Sequence, residues 1–150
     1  MEDIVTLKND KLRILISPKV GGSIFSMEYK YRGEWVHIMR STPYSSLGQC
    51  IPGDFASFNM IPFSNRIENG LLKYEGREYA LEINNSDGHT IHGEVRYRGL
   101  GVKYRDSSKI VMSFSSRDFD DISWPFPFYA EIAYELIADN SLLIHMMLKN

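Results

Sequence analysis

Arg66 closes the run Ile61-Pro62-Phe63-Ser64-Asn65-Arg66, in a loop just ahead of a strand. An arginine in such a place is commonly a solvated surface residue. It also offers a planar fork of donors, whose spacing suits two neighbouring hydroxyls of a polyhydroxylated ligand. A second cluster, Asp87-Gly88-His89-Thr90-Ile91-His92-Gly93, puts two histidines three positions apart beside glycines. No cysteine and no well-spaced third ligand accompanies them, so the pattern gives little for a metal to bind. A histidine flanked by glycines in a loop is better placed to meet a small molecule. An exposed or structural histidine fits the same residues, and the residue types alone leave both readings open.

The rest of the chain narrows the classes of partner. It has 150 residues, enough for one domain with its own core, and no repeat or linker divides it. Hydrophobic residues make up 43% and charged residues 24%, an ordinary globular balance. A net charge of −2 gives no electrostatic reason to expect nucleic acid or a membrane surface as partner. No apolar run approaches the roughly 20 residues that span a bilayer. The start, Met1-Glu2-Asp3-Ile4, lacks the basic and apolar stretches of a signal peptide. The lone Cys50 excludes an internal disulfide framework and suits a reducing compartment. A soluble cytoplasmic protein is expected.

The elements that must position these residues read as strands. Residues 4–8 and 11–16 are short apolar runs joined at Asn9-Asp10; in the second, Leu12, Ile14 and Ile16 alternate, with Leu15 out of pattern. Gly21-Gly22 permits a reversal into 24–29, and Arg32-Gly33 another into 34–39. Residues 41–58, rich in Ser, Pro and Gly, are expected to form a loop over one end of a sheet. Strands are expected at 71–74 and 79–83 around Glu75-Gly76-Arg77, then at 102–105, 110–115, 128–137 and 142–148. No window of 12 or more residues carries a capped helical period. The chain therefore reads as all-β, an antiparallel β-sandwich or barrel.

In order, Pro62-Phe63-Ser64-Asn65-Arg66-Ile67, Gly70, Gly76, Tyr79, Asn84 and His92-Gly93 resemble the motif series of the aldose 1-epimerase (mutarotase) family. So do Pro18 with Gly21-Gly22, Trp124-Pro125-Phe126-Pro127-Phe128 and Tyr134-Glu135-Leu136. The resemblance runs from about residue 4 to Asn150 and implies half of a galactose-mutarotase-like supersandwich, residues 1–150 forming a single β domain that corresponds to the N-terminal half. It implies interconversion of the α and β anomers of a free aldose through ring opening, with no metal and no cofactor. That reaction needs a base at the anomeric hydroxyl, an acid at the ring oxygen and donors that hold the sugar. Carried over, Arg66 would orient the sugar, and His92 would hydrogen-bond near the ring oxygen and assist the acid. His89 matches more weakly: it would shape the loop first and contact the sugar second. Asn65 is likewise a turn-forming asparagine with ligand contact as its further role.

The resemblance also implies what is not here. The second histidine (the general acid), a substrate-binding aspartate and the glutamate base belong to the half of the family pattern this chain does not cover. Glu131 and Glu135 share one face of a strand and read as exposed. Asp118, Asp120 and Asp121 read as a solvated acidic loop, and His37 and His145 as packing or surface residues. None replaces the base. Either a longer protein, a separate complementary half or a self-associating half-protein would account for the length. In each case unpaired strand edges favour a partner, either a homodimer or the complementary C-terminal half. A non-catalytic carbohydrate-binding module is the alternative from another class. A sugar-phosphate epimerase relative is a third reading; it would need extra basic residues near the site, and Arg96 and Arg98 follow His92 closely.

Overall fold

A computed structural model describes residues 4–150; the acidic start Met1-Glu2-Asp3, on which the expectation of no leader rests, lies outside the described residues. The first sheet is an antiparallel meander of β1 (Val5–Lys8), β2 (Leu12–Ser17), β3 (Ser23–Tyr31) and β4 (Glu34–His37). A five-residue helix, α1 (Ser45–Gln49), follows. Next come the two-residue β5 (Arg66–Ile67), the ribbon β6 (Leu71–Tyr74) and β7 (Arg77–Ala80), and the two-residue β8 (Thr90–Ile91). The second sheet holds β9 (Gly101–Arg105), β10 (Lys109–Ser115), β11 (Tyr129–Ala138) and β12 (Ser141–Lys149), ordered β12-β11-β10-β9 and antiparallel throughout. The fold is the all-β antiparallel sandwich expected.

The two sheets share one apolar core. From the first come Val5, Leu7, Leu12, Ile14, Ile16 and Ile24. From the second, β10 turns Ile110, Met112 and Phe114 inward and β11 turns Ala130, Ile132, Tyr134 and Leu136, the period-2 pattern of half-buried strands. Beside the buried Asn59 amide, the Tyr134 hydroxyl is a polar group set deep in this layer. It donates to the Gly22 carbonyl at 2.8 Å and accepts from Asn59 Nδ2 at 3.2 Å, and burial pushes its pKa up to about 12. Asn59 Nδ2 also reaches the Gly21 carbonyl at 2.8 Å, so the Gly21-Gly22 reversal is tied to the second sheet.

Three local expectations change. Leu15 breaks its strand's alternation because the opposite face of the first sheet is covered too: Leu15 packs against a second cluster of Val20, Phe25, Leu47 and Phe55. Segment 41–58 supplies that cover, through α1 and a 3-10 turn at Pro52–Asp54, rather than looping over a sheet end. The β6–β7 connection is two residues, not three: Glu75 and Gly76 both take positive φ (48° and 72°), and Arg77 already pairs with Tyr74. Leu81 then turns inward, its N–H on the Gly70 carbonyl at 2.7 Å, which ends β7 before residue 83. No helix among the described residues is long and apolar enough to cross a membrane.

Candidate functional site

Segments 61–67 and 90–95, far apart in sequence, are stitched together at three levels. Arg66 and Ile67 on β5 pair with Ile91 and Thr90 on β8. The His92 N–H donates to the Asn65 carbonyl at 3.0 Å. The Ile61 carbonyl then accepts from both Glu94 and Val95, at 2.8 and 3.2 Å. Gly93 makes the last contact possible: a Cβ there would lie 2.1 Å from the Ile61 oxygen, and its φ is +66°. Asn84 completes the arrangement by imitating a strand neighbour, accepting from the Ile91 N–H at 2.7 Å and donating to its carbonyl at 3.0 Å.

This stitching brings Asn65, Arg66 and His92 to one place. Asn65 and His92 both hold left-handed backbone, with φ of 63° and 61°. Such conformations are uncommon for non-glycine residues, asparagine and histidine being among the side chains that enter them most readily. The His92 ring meets the Phe58 ring edge-on at 5.8 Å, and its Nδ1 is buried with no partner. Burial, then the positive charges of Arg96 and Arg66, hold the imidazole below its ordinary pKa. A neutral ring is thereby favoured, able to donate from one nitrogen and accept at the other.

Arg66 does not stand free. Its Nε donates to Asp87 Oδ2 at 2.8 Å. The Asp87 carboxyl is pulled down to about 2 by the Asn85 side chain first and Arg66 second. His89 is fixed from both sides: its N–H donates to Asp87 Oδ1 at 3.2 Å, and its Nδ1 accepts from the Asn69 N–H at 3.1 Å. His89 therefore sits in the turn that carries Asp87, one ion pair removed from Arg66. Beside Asn65-Arg66 runs an aromatic wall, in which Phe63 stacks on Trp124 at 5.4 Å and Phe126 meets Trp124, Tyr74 and Tyr79. The apolar cleft of about 260 Å³ next to it is lined by Pro62, Leu72, Tyr74, Trp124, Phe126 and Leu148 among others.

The remaining candidates lie elsewhere. Glu131 and Glu135 project from the outer face of β11 toward Lys103 (3.7 Å) and Lys109 (2.8 Å). Asp121 is held by Arg98, and no group of three His, Cys, Asp or Glu side chains among the described residues is set to hold a metal. His37 lies against Glu28 and Ser26 on the first sheet, and His145 is exposed on β12. Sequence reasoning missed Phe58, hidden in the irregular segment before the motif, and Asp87, which the Asp-Gly turn signal marks only as a turn former. The cluster supplies hydrogen-bond donors and a neutral imidazole, while its one contacting carboxylate, Asp87, is already occupied by three donors.

Residues 3–150 match the family described as aldose 1-epimerase. The uncharacterized protein YihR of Escherichia coli K12 is 29% identical over 93 residues, covering 61% of this chain and 29% of YihR. The crystal structure of a GalM/aldose epimerase homologue from C. elegans superposes with a TM-score of 0.81 at 18% identity, over 95% of this chain and 44% of that one. A galactose mutarotase related enzyme from Lactobacillus acidophilus gives 0.72 at 20% identity, over 97% and 42%. These likenesses show a shared fold. The chain spans less than half the length of these relatives.

Proposed function

The chain belongs to the aldose 1-epimerase family, and from that premise we propose that it takes part in interconverting the α and β anomers of a free hexose by acid/base-assisted ring opening. The observation that carries this reading is the meeting of Arg66 and His92, fixed by the β5–β8 pairing and the His92 to Asn65 hydrogen bond. In this reading Arg66 and Asn65 orient the sugar hydroxyls. Neutral His92 hydrogen-bonds near the ring oxygen, and His89 holds the turn whose Asp87 aims Arg66. Orientation of this kind makes both proton transfers possible in one pose. The proton-moving acid and base come from outside residues 1–150, so the single β domain formed here works as the N-terminal half of a larger site. That site is completed by a complementary C-terminal half, in the cytoplasm; a second copy would cover the open strand edge without supplying the acid or base.

The test is polarimetric mutarotation of glucose and galactose by the chain mixed with a complementary C-terminal half of the family. A rate above the buffer-catalysed background that disappears in His92→Ala supports the enzyme. The second reading, a non-catalytic carbohydrate-binding module, is favoured by the absence of a free carboxylate in contact with His92 among the described residues. Saturable sugar binding without rate enhancement would select it.

A further inference from the structure

The first sheet has a polar face turned away from the shared core. In β1 and β2 the inward Val5, Leu7, Leu12 and Ile14 alternate with Thr6, Lys8, Arg13 and Leu15, which therefore face outward. One cross-strand row on that face, Lys8-Arg13-Glu28-His37, runs through all four strands. Arg13 Nε donates to Glu28 Oε2, and Glu28 is only 8% exposed. That hydrogen bond holds the Glu28 carboxyl below its ordinary pKa, so the pair is ionised. His37 Nε2 lies 3.7 Å from Glu28 Oε1, and its Nδ1 lies 3.4 Å from the Ser26 hydroxyl. Segment 41–58 covers part of this face and leaves a cavity of about 490 Å³ beside the row, with Ser41, Thr42 and Tyr44 along its edge. The edge is tied to α1: the Pro43 and Tyr44 carbonyls accept from Ser46 and Leu47, at 3.1 and 3.2 Å.

Thr42 is 5% exposed and lines this cavity, yet its hydroxyl is buried with no hydrogen-bond partner. Such an orphan costs stability, and a hydroxyl rotates to meet a partner that arrives. Tyr44 is the opposite case: 75% exposed, with its ring 5.0 Å from that of Phe25, it keeps an aromatic face open beside the cavity. The charge of the lining sets the class of ligand. Arg13 and Glu28 neutralise each other, and the carboxylate opposes an anion. Lys8 and Lys30 sit over the Trp35 ring, at 5.4 and 5.7 Å, and neither lines the cavity. One carboxylate is too little for a hard cation. What is left is a neutral mixture of donors and acceptors, matched by hydroxyls that are each both, beside a ring that can cover carbon. The volume lies within the roughly 300–1,000 Å³ of small-molecule sites. We propose that this cavity is a second ligand site of the chain and takes a neutral pyranose sugar. Thr42, Ser26 and Glu28 hold its hydroxyls, and Tyr44 covers its carbon face. None of these residues belongs to the Arg66–His92 cluster, so the site stands or falls independently of that one.

The experiment titrates glucose, galactose and maltose, with inorganic phosphate as the anionic comparison, into the whole chain and its His92→Ala variant. The His37 ring and the Thr42 amide are followed by NMR. At least one of the three sugars is expected to move both signals saturably in both proteins, and phosphate to leave them in place. Tyr44→Ala, at an exposed position, should weaken that binding ten-fold or more with the chain still folded. Thr42→Val, which keeps the shape and removes the hydroxyl, should weaken it at least three-fold; if that variant does not fold, Tyr44→Ala decides alone. The proposal is overturned if no sugar moves these signals, if the movement is lost in His92→Ala, if binding survives Tyr44→Ala undiminished, or if phosphate binds more tightly than the sugars. A response to sugar confined to the signals around His92 removes this site and leaves the Arg66–His92 reading standing. A response confined to His37 and Thr42 does the reverse.

Discussion

β11 and β12 pair along their whole length, from Tyr129 with Lys149 to Ala138 with Ser141, yet they live in different surroundings. β11 alternates strictly, its inward residues sealed against the first sheet. β12 carries Leu143, Ile144, Met146, Met147 and Leu148 on both faces, all exposed, and no strand flanks its outer side among the described residues. The two strands share one ladder, but β11 has a second with β10, and only β11 is buried. Ladder pairing gives a strand its place; only a second layer gives its side chains their stabilisation. An open edge beside consecutive apolar residues is the kind of surface that associates.

The sharpest division between the strands comes from the cross-strand pair Ile132 and Met146. Ile132 is fully buried, and Ile132→Ala should cost about 2–5 kcal/mol in urea unfolding. Met146 is 46% exposed, and Met146→Ala should stay within about 0.5 kcal/mol. Equal costs would mean that β12 is covered in solution. Next in size is an alkaline effect confined to β11. Tyr134 keeps its proton to about 12, whereas an unfolded tyrosine loses it near 10. Between these values the native state binds more protons, so stability should fall as pH rises, by about 2–3 kcal/mol in total. Tyr134→Phe should remove that slope, at a cost of about 1–3 kcal/mol at neutral pH from leaving Asn59 and Gly22 short of a partner. A slope unchanged in Tyr134→Phe would assign it to other groups.

Smaller in free energy but decisive for β12 is Met146→Lys with Leu148→Lys. The pair should change unfolding by no more than about 1 kcal/mol while abolishing concentration-dependent association in light scattering. A wild-type chain that is monomeric at every concentration would remove the case for a partner on this edge. The smallest expected change is at His92. Its pKa is lowered in the folded chain, so the unfolded state takes up the proton first as pH falls below about 6.5. Stability should decline from there toward the lowered native pKa, and the decline should vanish in His92→Asn, measured by thermal melts at closely spaced pH.

Much of this fold is legible in the sequence because it is local. The inward series of β10 and β11, the Arg32-Gly33 reversal and the Glu75-Gly76 turn each announce themselves within a few residues. What escapes is set by distant partners. Leu15 looks like an error of pattern until Phe25, Leu47 and Phe55 are seen on its face. α1 is too short to show a helical period. Arg66, Asn65 and His92 could be named from their motif, but the features that define their chemistry come from elsewhere in the chain. Phe58 sits against the imidazole, Asp87 holds the guanidinium and Arg96 adds positive charge beside His92. Arg96 follows His92 closely in the sequence, whereas Phe58 and Asp87 act through folded contact that no sequence period marks.

The left-handed backbone at His92 bears on how the molecule could be improved. At φ 61° glycine is favoured on conformational grounds. A library selected for heat resistance alone should therefore enrich His92→Gly early, discarding the imidazole while every strand survives. Thermostability engineering of this scaffold needs a ligand-binding screen alongside the melting screen, because the residue easiest to improve is the one the site can least spare.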